Sequence, residues 1–224
     1  MHNKKLILSA GCILFSVITF SQIQFSIATD LAVVRSFKKD QRFNAAGQTI
    51  VIHFHFAKKE GAYIWYGYSA PGKFINNFTA TAKSPSTIPA AIDFKSYSQI
   101  SFHTLSVGWK HYLKGAYNAE ESWSLYFTAG FGLVGGKVRN TYTIAKDTSN
   151  YNFPSNPIDG KGKFKRLTLD VALGYEIPIG MDIFLFGEGR VWIPASDYPS
   201  KYLFINHNAP FVGSVNIGLR ILLD

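Results

Sequence analysis

The side chains of this sequence that could do chemistry fall into two constellations. His53-Phe-His55 puts two imidazoles two residues apart, on one face of any extended strand, a spacing that can share a metal ion. A metal site needs a third or fourth ligand, and neither a cysteine nor an acidic residue adjoins the pair. The second set is Asp30, Lys110, Arg166, Asp170, Glu176, Glu188, Arg190 and Arg220. Each of these charges sits at an alternate position within an otherwise apolar or small-residue segment, four of each sign. Pro157-Ile-Asp-Gly-Lys-Gly-Lys163 contains glycine and lysine but lacks phosphate-loop spacing, and reads as a turn.

The elements that must position these groups follow from period-two alternation. Thr49 to Phe56 sets Ile50, Ile52, Phe54 and Phe56 opposite Thr49, Val51, His53 and His55. Trp123 to Val134, Arg166 to Ile177 and Val212 to Leu223 alternate as cleanly. Gln24 to Arg35, Ala62 to Tyr68, Gln99 to Leu113 and Ile183 to Pro194 complete eight segments, with a phase shift expected near His103. Links after segments two, four and six are short: Ala57 to Gly61, Lys114 to Ser122 and Pro178 to Met181. Links after the odd-numbered segments are long. An even number of antiparallel strands with short turns at one end and long loops at the other predicts an all-β, closed eight-stranded up-and-down transmembrane barrel. Closure is required because backbone groups in hydrocarbon must all be paired within the protein.

In that barrel the charged set faces a filled interior, where opposite signs neutralise one another. Folding back through Pro178–Met181 brings Asp170 roughly opposite Arg190 and predicts their contact. Trp109, Tyr112, Trp123 and Tyr175 are expected to mark one interface, and Trp192, Tyr198 and Phe211 the other.

Composition agrees with this reading. Of 224 residues, 47% are hydrophobic, 16% aromatic and only 17% charged, which excludes a disordered chain. Met1 to Ser21 has Lys4 and Lys5 ahead of an apolar run from Leu6 to Phe20, with Thr19 and Ser21 preceding a cleavage point at Gln22. It reads as a signal peptide, leaving residues 22–224 as one barrel domain. Leu8-Ser-Ala-Gly-Cys12 lacks lipobox placement. Cys12 is the only cysteine, so the exported chain has no disulfide. The formal charge of +9 falls to 9 − 2 = +7 after cleavage. The lysines read as scattered through solvated loops facing anionic headgroups, with no nucleic-acid motif.

Leu105-Ser-Val-Gly-Trp-Lys-His-Tyr112, Tyr126-Phe-Thr-Ala-Gly-Phe-Gly132 and Phe186-Gly-Glu-Gly-Arg190 sit within this pattern of leader, eight strands, three short turns and four long loops. The whole resembles the small OmpA/OmpX-type outer-membrane barrels. It is similar, more closely, to the outer membrane protein beta-barrel and PorT-like proteins of Bacteroidota. The resemblance implies location in the outer membrane of a Gram-negative bacterium, outer-membrane lipid around the wall, and envelope proteins as partners of the loops. Barrel lipid A deacylases use a His-x-Ser pair, and none of His53, His55, His103, His111 or His207 begins one. Palmitoyl-transfer barrels place His, Asp and Ser at the extracellular end, a location shared by His207 and Ser196-Asp197. The expected function is a structural or interaction protein without enzymatic activity or cofactor, acting through its long loops. The alternatives are a lipid-modifying barrel enzyme and a soluble lipocalin-like binder, which needs a polar exterior and an apolar cavity.

Overall fold

The computed structural model describes residues 23–118, 122–154, 157–196, 200–207 and 209–223. The signal segment, Tyr198 and Asp197 lie outside them. The strands are β1 (Gln24–Ser36), β2 (Asn44–Ala57), β3 (Glu60–Ala82), β4 (Ala91–Lys114), β5 (Ser124–Tyr142), β6 (Tyr151–Asn152), β7 (Gly160–Pro178), β8 (Ile183–Pro194) and β9 (Val212–Leu223). Eight of them form a ring in which each long strand pairs antiparallel with its neighbours in sequence. Pairing of β1 with β9, from Phe25–Leu223 to Ser36–Val212, closes it. The fold is an all-β, eight-stranded antiparallel barrel.

The register fixes its shape. Following paired residues from Phe25 through Phe54, Ala62, Trp109, Ala129, Val171, Val191 and Gly213 returns to β1 at Arg35. One circuit therefore climbs 35 − 25 = 10 residues. With eight strands, that stagger corresponds to a tilt of about 40° and a backbone radius of about 8 Å. Each residue along a strand then rises about 2.5 Å along the barrel axis. A cylinder this narrow has room for side chains and little else.

Alternation sorts the faces. On β7 the outward row is Ile177, Tyr175, Leu173, Val171, Leu169 and Leu167, and the inward row includes Glu176, Ala172, Asp170 and Arg166. Outward apolar residues recur on all eight strands, among them Leu31, Ile50, Ile64, Val107, Phe131, Leu185 and Ile217. From Ile177 to Leu167 this band is about 25 Å tall.

Several sequence expectations change. The links after the third and fifth segments are largely strand: β3 and β4 pair without interruption from Gly72–Ile100 to Thr81–Ala91. This hairpin rises well past the apolar band. There Ala80, Phe94 and Tyr151 form a second small core, and β6 pairs with the end of β3. These segments alternate weakly, so their sequence reads as loop. No phase shift occurs at His103, because β4 alternates through it; the bulge lies opposite, between Ser69 and Gly72 of β3. Tyr112 and Trp192 point inward and are buried, so they do not belong to the interface rings. Phe25, Phe56, Trp109 and Tyr175 are exposed at the turn end, and Tyr66, Tyr68 and Phe37 towards the other.

The segment between β8 and β9 folds over the mouth. Leu203 and Ala209 are buried, Phe204 packs on Phe74 and Phe78, and Gln41 donates to the Ile205 carbonyl at 2.9 Å. Inside, Gly108 and Gly130 are direct partners between Tyr63 on β3 and Asp170 on β7. A side chain at either glycine would occupy the path along which the Tyr63 ring crosses the wall. Gly130→Val is therefore expected to drive Tyr63 off Asp170 and lower unfolding stability by about 2–4 kcal/mol. Urea titration of the folded barrel checks this, with Gly187→Ala, where nothing lies within 4 Å, as the unaffected reference.

Candidate functional site

The candidate site is the charged interior, and each member is delivered by an inward position of its strand. Asp30, Lys110, Arg166, Asp170, Glu176, Glu188, Arg190 and Arg220 are all buried inside the ring. Around Arg190, Nη1 donates to Asp170 Oδ1 at 2.6 Å and Nε to Glu188 Oε1 at 2.8 Å. The guanidinium also lies 5.0 Å from the Trp65 ring and 5.3 Å from Tyr63. Asp170 further accepts from Tyr63 Oη at 2.6 Å and from Ser106 Oγ. Asp170 pairs in register with Trp192, and Arg190 with Ala172, so the Asp170–Arg190 contact is diagonal across the β7–β8 ladder. The length of the guanidinium arm spans that offset.

A second cluster lies nearer the turn end. Arg220 Nε and Nη2 grip Glu176 Oε2 and Oε1 at 3.1 and 2.9 Å, a bidentate geometry. Lys110 Nζ is 3.5 Å from Glu176 Oε2 and 3.7 Å from the centre of the Tyr126 ring. Tyr126 Oη donates to Glu188 at 3.1 Å, which links the two clusters.

The simple neutralisation of four charges by four is not what forms. Asp30 is held by Thr49 Oγ1 at 2.5 Å and Asn216 Nδ2 at 3.1 Å, both neutral donors on flanking strands. Arg166 stands at the upper rim and turns towards the loop, donating to the Ala209 carbonyl at 3.1 Å and Asn206 Oδ1 at 3.1 Å. It ties down the segment that covers the mouth. Register sends the longest side chains to the nearest unsatisfied oxygens, whether charged or not.

The other candidates have structural placements. His53 and His55 face inward with ring centres 6.0 Å apart, and His55 Nε2 is 2.9 Å from Ser26 Oγ. Among the described residues no group of three or more His, Cys, Asp or Glu is placed to hold a metal ion. Ser196 Oγ accepts from the Leu167 amide at 2.9 Å. Tyr63, Tyr126, Ser106 and Thr49 belong to the site and were not expected there. Their signal in the sequence is an inward Tyr or Ser facing inward glycines, as in Tyr126 beside Gly174.

Beyond the band, Asp147 nucleates the turn that carries β6. It accepts from Ser149 and Asn150, which holds its carboxyl down at about 2. A depressed carboxyl stabilises above its unfolded value and loses that contribution only as pH falls through about 2. Protection of the Tyr151 amide, which donates to the Asp147 carbonyl at 3.2 Å, should thus hold from pH 7 to pH 4 by hydrogen exchange.

No family model matches this chain, and no curated protein matches it in sequence. Solved structures do. The crystal structure of Ail, the attachment invasion locus protein of Yersinia pestis, covers 90% of this chain and 99% of its own, at 12% identity and a TM-score of 0.48. Neisserial surface protein A covers 88% and 96%, at 14% identity and 0.48. The outer membrane protein OprG from Pseudomonas aeruginosa covers 91% and 97%, at 11% identity and 0.49.

Loss of Arg190 leaves two buried carboxylates without their cation. Arg190→Met should cost about 3–5 kcal/mol in equilibrium unfolding. Asp170→Asn, which keeps an acceptor for Tyr63 and Ser106, should cost less than Arg190→Met in the same measurement.

Proposed function

We propose that this chain is an integral outer-membrane barrel with a filled interior, acting as a structural or interaction protein through the part that rises beyond the membrane. The observation that carries this is the outward apolar band, about 25 Å tall and continuous around all eight strands, wrapped on a charged interior. A lipocalin-like binder needs the reverse distribution, with a polar exterior and an apolar cavity. Lipid solvates the band, and closure through β1–β9 leaves no unpaired strand edge within it.

The interior supports a non-conducting and non-catalytic role. Arg190, Trp65, Trp192, Tyr126 and Lys110 cross the lumen, and the segment held by Arg166 and Gln41 covers its mouth. The interaction surface is then the β3–β4 hairpin with β6 and the following segment, a rigid platform rather than mobile loops. It offers envelope proteins a folded face. The chain belongs, on this reading, to a Gram-negative bacterium of the Bacteroidota, and residues 1–21 are removed on export. Strand parity puts the start of β1 and the end of β9 at one end of the barrel, and with the long-loop end outward that end faces the periplasm.

Two measurements test the reading. Cell fractionation should recover the protein with outer membranes, resistant to alkaline wash and released by detergent; recovery as a soluble periplasmic protein would overturn it. Planar bilayers containing the purified barrel should show no discrete conductance steps, and regular open-channel steps would refute the filled interior.

A further inference from the structure

Tyr66 and His103 meet on the outer wall, where nothing described so far gives them a task. In register, Tyr68 faces His103 and Tyr66 faces Leu105. Tyr66 therefore reaches up one diagonal to place Oη 2.7 Å from His103 Nδ1. All three side chains are exposed. The centre of the His103 ring is 6.0 Å from that of Tyr66 and 5.0 Å from that of Tyr68. An aromatic girdle needs rings near the edge of the apolar band. It does not need a phenol oxygen held on an imidazole nitrogen.

The wall beside this pair suits a planar, apolar ring with anionic groups at one edge. Leu105, Leu133 and Leu167 continue the row of Tyr66 across β4, β5 and β7. Gly135 follows His103 in the next row, and the space where its side chain would stand is open. From β3 to β5 this shelf is about 10 Å wide, two strand spacings. The lysines expected in loops stand on strands at its upper rim. Lys165 ends the row of Gly135, and Lys137, paired with Lys163, stands one outward step above it. Among the described residues, no carboxylate makes an ion pair with these lysines. Lys165 is two residues past Leu167, about 5 Å beyond the apolar edge, and lysine stems let their ammonium groups turn down towards that edge.

The phenol selects the occupant. A tyrosine oxygen is an axial ligand of haem iron, and haem carries two carboxylates on one edge of an otherwise apolar macrocycle. A phenol binds ferric iron by giving up its proton, and His103 Nδ1 lies within hydrogen-bond distance to receive it. We propose that Tyr66, positioned by His103, ligates the iron of a ferric haem lying over Leu105, Leu133 and Gly135, with its carboxylates on Lys137 and Lys165. One Fe–O bond forms, the water held by the iron leaves, and the phenol proton moves to His103; the iron stays ferric. The site goes beyond the interaction role proposed above, and rests on the membrane reading for the hydrocarbon that covers the outer face of the ring.

The test uses the full-length mature protein, folded in detergent micelles and, separately, in phosphatidylcholine vesicles. Failure to insert into vesicles refutes the membrane reading, while the titration in micelles judges the site by itself. Ferric haem added to the folded protein should give a one-to-one complex with the phenolate-to-iron charge-transfer absorption of a tyrosine-ligated iron. Tyr66→Phe should abolish that absorption. His103→Phe, which keeps a ring but removes the proton acceptor, should weaken affinity about 10–100-fold, as loss of a group that orients a metal ligand does. Folded mobility should be kept in both variants. Tyr175→Phe, at the opposite end of the wall, should leave binding intact. Ferric haem dimethyl ester, which lacks the carboxylates, should bind more weakly than the free acid, and Lys137→Gln with Lys165→Gln should erase that difference. The proposal is overturned by absence of the charge-transfer absorption, by its survival in Tyr66→Phe, or by ester binding as tight as that of the acid. Retention of iron-free protoporphyrin as tight as that of ferric haem also overturns it, because that marks plain partition of an apolar ring.

Discussion

Pairing of β1 with β9 is the constraint on which everything else in this molecule depends. It turns a meander of hairpins into a ring, and its register fixes a climb of ten residues per circuit. Tilt, radius and the height of the apolar band follow from that number and from the spacing of strands. So does the identity of the inward neighbours. Tyr63, Gly108, Gly130 and Asp170 fall in one row because the stagger puts them there. A slip of one residue on any strand would turn that strand's charges towards the outside.

Inside the ring, burial makes the charges mutually dependent. Removing a carboxylate or guanidinium from water is costly, and each pair recovers the cost only with good geometry and full hydrogen bonding. Arg190 achieves this with two carboxylates and two aromatic faces, and Arg220 with a bidentate grip on Glu176. The ion pairs tie strands one or two places apart in the ring, Tyr63 on β3 reaches Asp170 on β7, and together these groups fill the lumen. The resulting rigidity carries upward, where the β3–β4 hairpin continues as sheet and acquires its own small core. What reads in sequence as loop is a platform.

Charge is thus divided by position. Interior charges are held by ion pairs or hydrogen bonds within the ring and are structural. Exterior cations on β3, β5 and β7 are unpaired within the described residues and concentrated at the upper margin of the apolar band. The same alternation produces both, since each is one face of a strand that runs from the apolar band to the rows beyond it. The basic balance of the chain is therefore divided between strand faces and connections.

Alternation and the sorting of short and long links sufficed to read the ring of eight strands, because period-two patterning reports directly which face each residue takes. The inward placement of Asp170, Arg190 and the other six charges follows from parity alone. Sequence does not reveal parity across a gap in the pattern: the Ser69–Gly72 bulge flips the face of β3, and only paired backbone locates it. Nor does it reveal diagonal reach: Thr49 and Asn216 hold Asp30, and Arg166 turns to oxygens of the last loop. Those choices, like the meeting of Lys137 with Lys163, depend on register between strands distant in the chain. Within each regularly alternating segment, the sequence by itself determined which residues face in and which face out. The tertiary structure alone decided which of them meet, because the stagger of a closed barrel is a property of the whole ring and of no single strand.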